Sequence, residues 1–126
     1  MSEALEFLND LFAKAKKAGA DAADGHHVVS QSLSTSMRMG KREDLERSES
    51  LDMMLRVFVG QRQACVASSD TSAQAMDELV ERAVSMAKVA PEDPYCGLAP
   101  EDRLAREWPD LDLFDDYEYD TEALYE

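Results

Sequence analysis

The sequence predicts a two-layer α+β fold: an N-terminal helix, a four-stranded antiparallel sheet made of two hairpins, a second helix and an extended acidic tail. Apolar residues recur with helical spacing over residues 3–18 and again over 76–87, whereas over 51–59 they occupy every second position. After the second helix neither period persists, and all four prolines occur there. We therefore divide the chain into an α+β domain at 1–90 and a Pro-rich, acidic, extended segment at 91–126. A helix-like start at 120–125 ends without a closing signal, so we expect this segment to lead to a downstream domain.

The first helix, over residues 3–18, is capped by Ser2 and stopped by Gly19, which can adopt the left-handed conformation. Acidic residues crowd its first half and lysines its last turn, as the helix dipole favours. Its apolar stripe consists of Leu5, Leu8, Leu11, Phe12, Ala15 and Ala18. This stripe predicts a helix that packs on the sheet through one face.

A polar hairpin follows a short connection at residues 20–25. Residues 27–39 alternate apolar and serine-rich positions, as in a strand with one solvated face. Gly40 and Lys41 are expected to form its two-residue turn.

The return segment, residues 42–50, has Leu45 as its one large apolar side chain. The turn would set Arg38 opposite Glu43, a favourable cross-strand pair. The same residues could instead form a helical turn, and this alternative stays open here. As a strand, such a polar ribbon belongs at a sheet edge or protrudes into solvent or a partner.

The central hairpin, residues 51–67, is the best-specified element. Its first strand carries Leu51, Met53, Leu55, Val57 and Val59 on one face. Gly60 and Gln61 then form a type II′ turn, whose first position needs a positive φ. The predicted cross-strand pairs are Val57–Ala64 and Leu55–Val66.

The second helix begins among residues 68–72, where Thr71 and Gln74 have the spacing of a capping box, and it ends before Pro91. Its apolar stripe consists of Met76, Leu79, Val80, Ala83, Val84 and Ala87. We expect it to cover the sheet beside the first helix.

The tail combines acidic and large apolar residues. Of a net charge of −14, residues 101–126 contribute 11 acidic side chains against Arg103 and Arg106. We expect the tail to lie extended across a surface, held by Tyr95, Leu98, Leu104, Trp108, Leu111, Leu113 and Phe114. The acidity disfavours direct binding to nucleic acid, because phosphates would be repelled.

The sequence contains few candidates for catalytic or metal-binding residues. His26 and His27 are adjacent, so on a strand they point to opposite faces and cannot chelate one ion together. No motif of a zinc protease, P-loop, dinucleotide fold or serine hydrolase occurs. Cys65 and Cys96 are interpreted as ordinary thiols, and a hydrolase built on either is the least favoured alternative. A cytoplasmic module that binds or positions something is expected, with no membrane span or signal pattern.

Five segments of the sequence resemble segments of a known family: AGADAAD (18–24), MRMGKREDLERSES (37–50), LRVFVGQRQACVASSD (55–70), DELVERAVSMAK (77–88) and APEDPYCGLA (90–99). In order and spacing they resemble the N-terminal domain of the TldD/PmbA family, often labelled modulators of DNA gyrase. The resemblance covers nearly all of residues 4–115 and is closer to the PmbA/TldE branch.

The resemblance implies a subunit of a zinc metallopeptidase that works as a TldD–PmbA (TldE) heterodimer. Such a heterodimer degrades unfolded or extended peptides in a closed cavity and matures a ribosomally made peptide antibiotic. The family's HExxxH motif belongs to a later domain and is absent here, so no catalytic or metal-binding residue is carried over. Zinc is expected in the downstream domain of the TldD-like partner.

An exposed polar strand can accept an extended peptide or a partner. We therefore expect the ribbon at 37–50 and the Gly60 turn to face the partner subunit or the peptide chamber. The candidate contact residues are Arg38, Lys41, Glu43, Arg47, Glu49 and Gly60. Two alternatives stay open: the ribbon faces water, or the chain is a stand-alone acidic module whose residues 101–126 bind a basic protein. The isolated chain could also form a homodimer.

Overall fold

The computed structural model describes residues 2–125, which form two compact units. The core unit contains residues 2–29 and 50–99, and the ribbon unit contains residues 30–49 and 100–125. The elements are α1 (Glu3–Lys17), β1 (Ala22–Arg38), β2 (Lys41–Val59), β3 (Arg62–Ser68) and α2 (Ala73–Val89), with 3₁₀ turns at Glu101–Arg103 and Ala123–Tyr125. This order confirms the α+β class.

The sheet has three strands, where four were expected. Residues 42–50 and 51–59 belong to one continuous strand, β2, which is 19 residues long. No glycine, proline or asparagine occurs between residues 41 and 59, and the weaker turn formers near the expected break, Ser48, Ser50 and Asp52, remain within the strand. The strand order is β1–β2–β3, which makes β2 the central strand.

β1 begins at Ala22, inside the stretch that was expected to be a connection. Asp24 explains part of this early start, because its carboxylate accepts a hydrogen bond of 2.8 Å from Arg56 Nε on β2. A second hydrogen bond joins the other carboxylate oxygen to Arg56 Nη2. This fork-to-fork pairing satisfies a charge that would otherwise discourage a strand.

The central hairpin has the predicted register. Val57 lies opposite Ala64 and Leu55 opposite Val66 in the antiparallel pairing of β2 with β3. Gly60 has φ +58°, whereas φ of Gln61 is not positive. A positive φ at the first loop position alone is the pattern of the expected type II′ turn.

Both helices begin as their sequences indicate. The Ser2 hydroxyl accepts a hydrogen bond from the Leu5 amide at 3.4 Å, and Gly19 has φ +113° after the end of α1. In α2 the cap is Ser72, whose hydroxyl accepts from the Ala75 amide at 3.3 Å. The cap therefore lies one residue beyond Thr71, the residue with capping-box spacing.

The core of the core unit lies between one face of the sheet and the two helices. Leu11, Met53, Leu55 and Val57 are its largest fully buried side chains. The α2 stripe is buried as predicted, through Met76, Leu79, Val80, Ala83, Val84 and Ala87. Each large aliphatic side chain buried in this way contributes about 1.5–3 kcal/mol.

Residues 91–125 contain no helix or strand apart from the two 3₁₀ turns. The large apolar side chains of the tail are exposed, Trp108 at 77% and Leu113 at 87%. That these side chains hold the tail against a surface stays a prediction.

Candidate partner and peptide interface

The ribbon was expected at residues 37–50, and in the structure it comprises residues 30–49. It is the polar part of the long β1–β2 hairpin. All residues from 41 to 49 are exposed. Its two-residue loop is Met39–Gly40, one residue earlier than the expected Gly40–Lys41. Met39 has φ +51° and Gly40 has φ +73°. Two positive φ values define a type I′ turn, which favours glycine at its second position, and this preference explains the shift.

Five of the six sequence-predicted contact residues lie on the ribbon. Arg38 Nη1 donates to Glu43 Oε1 at 3.4 Å, so these two side chains meet as expected. The expected register was wrong, however, because the Met39–Gly40 loop sets Lys41 opposite Arg38 and makes Glu43 a diagonal neighbour. Arg47 Nη2 lies 3.8 Å from Glu49 Oε1 on the same strand. Lys41 is the first residue of β2. The resulting surface alternates cations and anions, which suits recognition by polar contacts.

Gly60, the sixth candidate, belongs to the core unit. Its amide donates to Asp21 Oδ2 at 2.6 Å, and the carbonyl of Gln61 accepts from the Asp93 amide at 2.7 Å. A Cβ at Gly60 would meet no atom within 4 Å, so the position is open to contact from outside.

The sequence analysis missed a second cluster on the ribbon unit, centred on Arg42. Arg42 Nη1 donates to Glu122 Oε1 at 2.8 Å, and Nη2 donates to the other carboxylate oxygen. The Arg42 guanidinium carbon lies 4.3 Å from the centroid of the Tyr125 ring. The Tyr125 hydroxyl donates to the Asp44 carbonyl at 2.8 Å. Eighty residues separate Arg42 from Glu122, so no spacing in the sequence could reveal the pair.

The electrostatics of this cluster follow from the paired hydrogen bonds. Hydrogen bonding to Glu122 raises the pKa of Arg42. The same hydrogen bonds from Arg42 lower the pKa of Glu122. Each partner therefore stabilises the charged form of the other, as in a bidentate carboxylate clamp.

Beside the cluster, the ribbon unit contains a cleft of about 410 Å³. Its lining is Gln31, Ser32, Leu33, Arg47, Tyr117, Glu118, Tyr119 and Leu124. The Tyr117 and Tyr119 rings meet edge to face with centroids 4.9 Å apart. Residues 117–125, which we call the strap, thus lie along the ribbon through aromatic, apolar and charged contacts.

The other residues considered for catalysis or metal binding include His27 and the two cysteines. The His27 ring packs edge to face on Phe7, with centroids 5.6 Å apart. Cys65 is exposed and Cys96 half-buried, and both are free thiols. Among residues 2–125, no three His, Cys, Asp or Glu side chains gather to hold a metal ion. In the same part of the chain, no helix has the length and apolar character to cross a membrane.

Comparison with known proteins gives consistent matches. Residues 27–87 match the family model described as PmbA/TldA metallopeptidase domain 1. The chain is 32% identical over 126 residues to the Metalloprotease PmbA homolog of Haemophilus influenzae, covering all of this chain and 27% of that protein. It is 30% identical over 112 residues to Metalloprotease PmbA of Escherichia coli O157:H7, covering 86% of this chain and 25% of that protein. The chain thus spans about a quarter of the length of these relatives.

Two solved structures share the fold. A proposed modulator of DNA gyrase from Bacteroides thetaiotaomicron has a TM-score of 0.83 at 19% identity, over 92% of this chain and 26% of that chain. TldE from Thermococcus kodakarensis has a TM-score of 0.69 at 18% identity, over 82% of this chain and 23% of that chain. These two structures show the fold, and the family model and the two sequence relatives identify this chain as an N-terminal domain of the PmbA/TldD metallopeptidase family.

Proposed function

We propose that this chain is a non-catalytic N-terminal domain of a PmbA-branch subunit. In this proposal it pairs with a TldD-like subunit and helps to enclose the chamber in which unfolded or extended peptides, including peptide-antibiotic precursors, are cut. The observation that carries the proposal is the 32% identity, along the whole chain, to a protein named as a metalloprotease PmbA homolog.

The zinc of such a peptidase does not fit the residues described here, since none of their acidic, histidine and cysteine side chains converge on one point in groups of three. We therefore assign no chemical step to this chain and expect zinc in the downstream domain of the TldD-like partner. We also propose that residues 91–126 lead from the α+β domain at 1–90 to that later part of the subunit, and that the protein works in the cytoplasm. The gyrase name does not imply DNA binding, because a net charge of −14 repels phosphate.

The ribbon suits a role in assembly because its charges are exposed and its backbone is extended. Within the three-stranded sheet β1 is an edge strand, and because β3 pairs only with Met53–Val59, the part of β2 that lies in the ribbon has an open edge as well. An edge strand can pair with an added strand, and alternating charges such as Arg38, Glu43, Arg47 and Glu49 give such pairing a preferred register.

The test is deletion of residues 37–49 in a full-length subunit. Heterodimer formation is measured by size-exclusion chromatography with light scattering, and peptide cleavage with an unfolded peptide. We expect loss of one or both, with unchanged helix content, since the deletion leaves the core unit's elements intact. The matched control is Met39→Asn, which keeps a type I′ turn and should preserve both activities. Survival of both activities after the deletion contradicts the proposed role of the ribbon.

The exposed acids of the tail favour one alternative, a stand-alone acidic module that binds a basic protein. The gene sequence after residue 126 separates the two: a further domain supports the peptidase subunit, and its absence supports the module. Light scattering on the isolated chain tests whether it forms a homodimer.

A further inference from the structure

The ribbon carries a cationic group and a hydrogen-bond acceptor that contact the same short segment of the chain. Arg42 offers two parallel N–H donors to a carboxylate and a flat cation to an aromatic ring, and both are used here. The carbonyl of Asp44 accepts a hydrogen bond from a phenol at 2.8 Å. The three contacts are satisfied by a glutamate and a tyrosine three residues apart, Glu122 and Tyr125.

The strap supplies these groups in a fixed local conformation. The Glu122 amide donates to Asp120 Oδ1 at 3.2 Å, and the Tyr125 amide donates to the Glu122 carbonyl at 3.0 Å. The resulting 3₁₀ turn places the carboxylate and the ring on the same side, because residues three apart coincide in a 3₁₀ turn. Leu124 and Tyr119 line the neighbouring cleft.

We propose that the ribbon contains a binding site for acidic, tyrosine-containing peptides, and that the chain's own strap occupies it as an internal competitor. The ligand class is a Glu-x-x-Tyr segment in a single helical turn. A peptide of this class from another molecule must displace the strap, so the site is autoinhibited. This inference goes beyond the proposed function and does not depend on it, because every test below uses the isolated chain.

The first test is a charge exchange in the full chain, read by amide hydrogen exchange of residues 117–125. Arg42→Glu and Glu122→Arg should each raise the exchange rate about three- to tenfold, the range for an exposed ion pair with a cation–π contact. Combining the two should restore part of the protection, because the ion pair re-forms with its charges exchanged but the cation–π contact with Tyr125 does not. The control is Arg38→Glu, which breaks the Arg38–Glu43 pair on the same ribbon and should leave the strap unchanged. Unchanged exchange in both single variants, or no restoration in the double variant, overturns the inference.

The second test opens the site with Glu122→Ala and Tyr125→Ala together, which leaves Arg42 in place. A fluorescent peptide of residues 115–126 is titrated against this opened chain and the wild type. Because the tethered strap competes with the peptide for the same groups, the opened chain should bind the peptide about three- to tenfold more tightly, the factor expected for loss of the strap's contacts. Adding Arg42→Glu should abolish binding, and a scrambled peptide of the same charge should not bind. Equal binding by both chains, or by both peptides, contradicts the inference.

Discussion

Gly25 is the most sharply testable position in the fold, because the structure leaves no room for a side chain there. A Cβ at Gly25 would lie 2.3 Å from the Met54 carbonyl oxygen and 3.3 Å from Phe12 Cε1. The first contact is with backbone, so relief requires β1 and β2 to separate locally by roughly 0.7 Å or more. Overpacking of this kind costs typically about 1–3 kcal/mol.

Gly25→Ala also lowers the conformational entropy of the unfolded chain, which stabilises the folded state by about 0.4–1 kcal/mol and offsets part of that cost. We therefore expect a net loss of about 1 kcal/mol in the free energy of unfolding. For a folded unit of this size, that corresponds to a fall in Tm of roughly 4–8 °C. Urea and thermal unfolding followed by circular dichroism at 222 nm measure both quantities.

Gly97→Ala is the matched control, because a Cβ there meets no atom within 4 Å and the residue does not have a positive φ. It should change stability by less than about 0.5 kcal/mol. Gly25 does not have a positive φ either, so the expected difference between the two variants reports space alone. If Gly25→Ala is as stable as the wild type, or Gly97→Ala is equally destabilised, the reasoning fails.

Three further predictions concern the core, a turn and a cap. Leu55→Ala, at a fully buried position, should cost about 2–5 kcal/mol in urea unfolding, whereas Leu113→Ala, at an 87% exposed position, should cost less than about 0.5 kcal/mol. Gly60→Val should cost about 1 kcal/mol or more because φ is +58° at a site with free space, and Gly60→Asn should cost less; equal costs would point to a clash instead. The Ser72 amide lowers the pKa of Asp70 by hydrogen bonding, so Asp70 stabilises the fold above its unfolded pKa of about 4, and this contribution is lost as pH falls through the lower folded pKa. Asp70→Asn should therefore flatten the stability profile below about pH 4, and an unchanged profile would contradict this assignment.

The parts of the fold that the sequence could predict are those specified by local patterns. The β2–β3 register follows from alternation plus a glycine at the first turn position, and the α2 stripe follows from a 3.6-residue period. The strand break expected near residue 50 was wrong, because a change from polar to apolar composition does not itself turn the chain. A break needs a strong turn signal, and no glycine, proline or asparagine occurs there; Ser48, Ser50 and Asp52 are weaker turn formers and stay within the strand.

The candidate site was predictable only where its contacts are local. Arg38 and Glu43 lie five residues apart, and their pairing could be expected from a hairpin. Arg42 and Glu122 lie eighty residues apart, and their contact depends on the path of an irregular tail. Sequence periodicity carries no information about such a path, so the strap could emerge only from the structure.

The Gly60–Gln61 loop binds two distant parts of the core unit through two backbone groups. Its Gly60 amide binds Asp21, just after α1, and its Gln61 carbonyl binds the Asp93 amide, just after α2. Arg62 adds a hydrogen bond of 2.9 Å to the Ala90 carbonyl. The polypeptide that leaves α2 is therefore tied, as far as Asp93, to the end of the β2–β3 hairpin.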